Sequence, residues 1–80
     1  MKVIEVFKTN VADSSQSVLL LQAICRRFPA YIANFDLHDC DNILRIESSR
    51  LQIVNENIVS LLNEYGYYAE ALPDTEVNTQ

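Results

Sequence analysis

The residues best equipped for chemistry are crowded into one short stretch, Asp36, His38, Asp39, Cys40 and Asp41. Carboxylates, an imidazole and a thiol this close together form a donor set for zinc or a related divalent ion. If the strand before them continued, alternation would send Asp36, His38 and Cys40 to one side. The competing reading is a solvated turn whose Asp and Asn side chains bond their own backbone. Four ligands in fixed geometry rarely come from one loop, so a metal site at Cys40, His38, Asp36 and Asp39 is the alternative reading. Catalysis has less to stand on. The single histidine is too near Cys40 in sequence to serve as its base without a third group. The loop from Asn10 to Ser15 has neither the glycine nor the arginine that would cradle a phosphate. No enzyme and no resident cofactor are expected.

The elements that would position these residues follow from periodicity. Residues 2–9 are rich in β-branched and aromatic types and read as a strand. Val3, Glu5 and Phe7 share one face, and Ile4 and Val6 share the other. An unpaired buried carboxylate is costly, so the core face is assigned to Ile4 and Val6. Asp13, Ser14 or Ser15 can cap a first helix. Its apolar stripe is Val18, Leu21, Cys25 and Phe28, which makes Cys25 a small core residue. Leu19, Leu20 and Ile24 are shoulders of that core or a second contact. Arg26 and Arg27 suit the last turn, and Pro29 ends the helix.

Residues 31–37 alternate, with Tyr31, Ala33, Phe35 and Leu37 on one side and Ile32, Asn34 and Asp36 on the other. Residues 38–42 form the hairpin loop, and the returning strand runs over 43–48 with Leu44 and Ile46 inward. A second helix spans about 54–65, with Ile58, Leu61, Leu62 and Tyr65 on its apolar face. Gly66, the only glycine, sits where a left-handed cap is needed. A last strand covers 67–72 and stops at Pro73. The order strand, helix, strand, strand, helix, strand predicts an α+β, ferredoxin-like βαββαβ fold. Its four-stranded antiparallel sheet would carry both helices on one face.

The 80 residues and 9.1 kDa accommodate one such domain, residues 1–72, with a polar tail at 73–80. A net charge of −5 argues against nucleic acid or an anionic membrane surface as partner. The first residues lack the apolar core of a secretory signal, and two cysteines are too few to staple a secreted scaffold. Cys25 and Cys40 read as separate thiols in a cytoplasmic protein.

The run Ile58, Leu61-Leu62, Tyr65-Gly66-Tyr67-Tyr68-Ala69 resembles the closing helix of heavy-metal-associated domains, with their Gly-Tyr-x-Ala entry into the last strand. Length, element order and the polar loop before the first helix also match, over residues 2 to 72. The resemblance implies the fold of small copper chaperones and of the N-terminal modules of metal ATPases. It also exposes a departure. Members carry Met-Thr-Cys-x-x-Cys in that loop, where this chain has Thr9-Asn10-Val11-Ala12-Asp13-Ser14. Val11 and Ser14 stand at the two thiolate positions, so copper(I) transfer by that route is not implied. Tyr67 matches a tyrosine near the metal in bacterial relatives, and alone it simply covers the end of the sheet.

What is left is binding. The sheet face away from the helices is expected to carry Val3, Phe7, Ile32, Ile43, Tyr68 and Leu72 among Glu5, Asn34, Arg45 and Glu47. Apolar residues clustered in that way point to a protein partner or a homodimer. A small-molecule sensor, with its ligand between subunits, is the remaining alternative.

Overall fold

The computed structural model describes residues 2–37, 42–49 and 52–73. Six elements follow one another: β1 (Val3–Thr9), α1 (Ser14–Arg27), β2 (Tyr31–Asp36), β3 (Ile43–Ser48), α2 (Asn55–Glu64) and β4 (Ala69–Ala71). The strands form one antiparallel sheet in the order β2-β3-β1-β4. This is the ferredoxin-like α+β arrangement. The core joins Leu20 and Ile24 of α1, Ile58, Leu61 and Leu62 of α2, and Phe7, Tyr31, Leu44, Ile46 and Ala69 of the strands. Those strand residues share one side of the pleat, so both helices cover the same face and the other stays open. No helix among the described residues is long and apolar enough to cross a membrane.

Local chemistry accounts for the element ends. Asp13 caps α1, its carboxylate accepting from the Ser15 backbone N–H at 3.0 Å. Helix α2 ends in a double hydrogen-bonded cap, with Tyr67 N–H donating to Leu62 C=O at 2.9 Å and Gly66 N–H to Asn63 C=O at 3.0 Å. That geometry places Gly66 at φ +87°, a conformation that costs side-chain-bearing residues about 1–2 kcal/mol. Thr9 links two loops. Its hydroxyl donates to Asn42 C=O at 2.6 Å and accepts from Val11 N–H at 3.2 Å.

The structure reverses the expected faces of β1. Phe7 is fully buried and Val3 packs against the core, whereas Ile4 is 48% exposed. Register decides it. Phe7 pairs with Leu44 and Glu5 with Ile46, and paired residues share a face, so β1 must present its odd positions to the helices. The Glu5 carboxylate that argued against this arrangement has a partner, because Asn55, the first residue of α2, donates to it at 3.4 Å.

Helix α1 is also turned from its expected orientation. Ser17, Leu20, Ala23 and Ile24 are buried, while Val18 is 52% exposed and Cys25 is exposed. Two adjacent stripes of α1 are apolar. The one with small residues at positions 17 and 23 lets the helix settle closely on the sheet. Tyr65 is likewise 41% exposed and forms the C-cap of α2 without joining its buried face.

Candidate functional site: the open sheet face

Strand alternation and register together define the open face. Its upper row is Ile32, Glu47 and Ile4, from β2, β3 and β1 in turn. The middle row is Asn34, Arg45 and Val6, extended by Leu72, whose N–H donates to Val6 C=O at 2.8 Å. The lower row is Asp36, Ile43, Lys8 and Glu70. Val6, Ile43 and Leu72 are half-buried and make an apolar centre, with Ile4 beside them. Ile32 stands at the β2 edge and is 62% exposed.

Charged side chains, among them Arg45 and Glu47 of the central strand β3, are interleaved with these apolar residues. Lys2 pairs with Glu47 at 3.5 Å. On the β4 side, the Tyr68 hydroxyl donates to Glu70 at 2.6 Å, and the Tyr68 N–H donates to the Asn10 side chain at 2.8 Å. That carboxylate, by accepting the phenolic hydrogen, holds Tyr68 above the ordinary tyrosine value, with desolvation and the charge of Glu70 acting the same way. Among the described residues the face holds three cations, Lys2, Lys8 and Arg45, and three carboxylates, Asp36, Glu47 and Glu70. It is therefore neutral on a chain of net charge −5.

Of the five interface residues read from the sequence, Ile32, Ile43 and Tyr68 lie on this open face. Val3 and Phe7 lie on the opposite side, beneath the helices. Ile4 and Val6 take their places, and the pairing of Phe7 with Leu44 is the signal that identifies them. At the proposed metal loop, Asp36 is an exposed residue at the end of β2, and His38, Asp39 and Cys40 lie outside the described residues. Among the described residues, no group of three or more His, Cys, Asp and Glu side chains is gathered as a metal would need. Val11, at the first of the two thiolate positions, is fully buried in the core, and Ser14 opens α1.

No protein-family model, curated protein or solved structure matches this chain.

Proposed function

We propose that this domain is a non-catalytic, cytoplasmic protein-binding module whose working surface is the open sheet face, and that the face fits a second copy of itself. One observation carries the reading: apolar residues interleaved with equal numbers of positive and negative groups on the open face of an otherwise acidic molecule. Two acidic chains repel at long range, and a neutral, mixed-sign face is the part of each that can approach the other. A two-fold axis brings the same patch against itself, so both signs must be present on it for charges to meet their opposites. In this reading the chain is a heavy-metal-associated-like domain in which Val11 and Ser14 have replaced the thiolates and protein contact has replaced metal.

Sedimentation velocity of the wild type beside Ile4→Asp tests it. Ile4 is about half exposed and lies on the face away from the helices, so the variant keeps its fold. Burying an isoleucine stabilises by about 1.5–3 kcal/mol, so the variant should lose about tenfold or more in association. Identical profiles for the two chains would dismiss the face as an interface.

A further inference from the structure

The two edges of the sheet are built differently. At one edge, β4 has three residues, carries Glu70 and is closed by Leu72 and Pro73. Shortness, charge and proline are the usual means by which an edge is kept from pairing. At the other edge, β2 runs six residues in unbroken register with β3 and contains no Lys, Arg, Pro or Gly. Its one charge, Asp36, stands at its end. An edge of this kind offers a row of backbone donors and acceptors that another strand can pair with.

A second observation lies one layer above. Between α1 and β2 opens a groove of about 380 Å³, floored by Tyr31, Ile32 and Ala33. Its wall is Val18, Leu21, Gln22 and Cys25 of α1. These positions follow helical spacing, with Leu21 packed partly against the core and Val18 and Cys25 left exposed. What covers both surfaces must bring a strand and, above it, a helix with its own apolar flank. The α1/β2 edge is such an object.

We infer that two copies of this chain join edge to edge, β2 against β2 and α1 against α1, into one continuous eight-stranded sheet. Opposed residues in an antiparallel pair share a face, so helices remain on one side only if the two-fold axis passes through a residue and not between two. An axis at Ala33 places Tyr31 opposite Phe35 of the second copy and Ile32 opposite Asn34. The α1 stripe is centred between Leu21 and Gln22, so a helix pair related about that centre sets Val18 of each helix beside Cys25 of the other. The two Asp36 carboxylates then lie about 20 Å apart at strand spacing, well beyond the screening length of about 8 Å in physiological salt. The inference does not depend on the open-face reading. If both hold, edge-paired dimers stack face to face into a closed tetramer of dihedral symmetry.

Charge complementation on α1, in the Ile4→Asp background and under reducing conditions, tests the edge alone. Val18→Asp and Cys25→Lys each alter an exposed side chain, so each folds. Light scattering should find the Ile4→Asp chain dimeric. Each α1 variant alone should dimerise about tenfold or more weakly, because it places an unpaired charge into an apolar contact. An equimolar mixture of the two should recover the dimer, since the carboxylate introduced on one helix then meets the ammonium introduced on the other. A monomeric Ile4→Asp chain would leave the edge to some foreign strand and overturn the inference. So would α1 variants that dimerise like their parent, or a mixture that recovers nothing. The open-face reading fails separately, if Ile4→Asp leaves the wild-type assembly unchanged.

Discussion

At the scale of single residues, Tyr68 shows how a surface contact becomes measurable. Its hydroxyl bonds Glu70, and this favours the neutral phenol over the phenolate. Its titration therefore lies above the ordinary 10.0. A raised folded value gives a contribution that is complete below the unfolded value and is lost as pH rises through the folded one. Tyrosinate absorbance will follow it: Tyr68→Phe should delete the latest part of the alkaline titration, and Glu70→Gln should bring that part earlier. Equal curves for wild type and Glu70→Gln would mean the bond does not govern the phenol. Residue types also explain what was legible. Gly66 is the only glycine and marked its cap correctly, because a positive φ leaves a direct trace in the sequence. Glu5 misled, because a carboxylate looks like a surface residue until Asn55, fifty positions away, is seen to reach it.

At the scale of elements, the identities of helices and strands were readable and their rotations were not. Periods of 3.6 and 2 separate α1 and α2 from the strands. Helix α1, however, carries two neighbouring apolar stripes, and only packing against Ile58, Leu61 and the sheet selects Leu20 and Ile24 as the buried one. Urea unfolding of dilute protein separates them. Leu20→Ala should cost about 2–5 kcal/mol, because Leu20 is fully buried. Val18→Ala should stay within about 0.5 kcal/mol, the range of an exposed position. Comparable losses at both would place the helix in the orientation read from the sequence. Strand β1 went wrong for a related reason: Ile4, Val6 and Lys8 on one face and Val3, Glu5, Phe7 and Thr9 on the other both mix apolar with polar residues, so cross-strand register alone orients it. The expected open face inherited this error, which is why Ile32, Ile43 and Tyr68 were placed on it while Ile4 and Val6 were assigned to the core.

At the scale of the whole molecule, charge and shape pull in different directions. Each copy carries −5, and this monopole opposes any encounter between copies. The groove between α1 and β2 is lined, among the described residues, by uncharged side chains. Salt should therefore tighten the edge-paired dimer. Raising ionic strength from about 0.01 M to 0.15 M shortens the screening length from about 30 Å to about 8 Å. The Ile4→Asp dimer should strengthen across that range, as read by its dissociation constant in sedimentation equilibrium. A dimer that weakens with salt would point to ion pairs and away from this edge.

The difference between the two edges has a further consequence for how the protein ages. A lone copy displays Tyr-Ile-Ala-Asn-Phe-Asp as an edge strand whose outer flank, among the described residues, faces away from the sheet. Segments of this kind, rich in β-formers and poor in charge, are the seeds from which cross-β fibrils grow. Closed pairing occupies that flank with an identical strand and ends the growth at two chains. Dilution and loss of the α1 contact would instead leave the flank open to unlimited addition, so the same hydrogen bonds that limit assembly in one setting would propagate it in another.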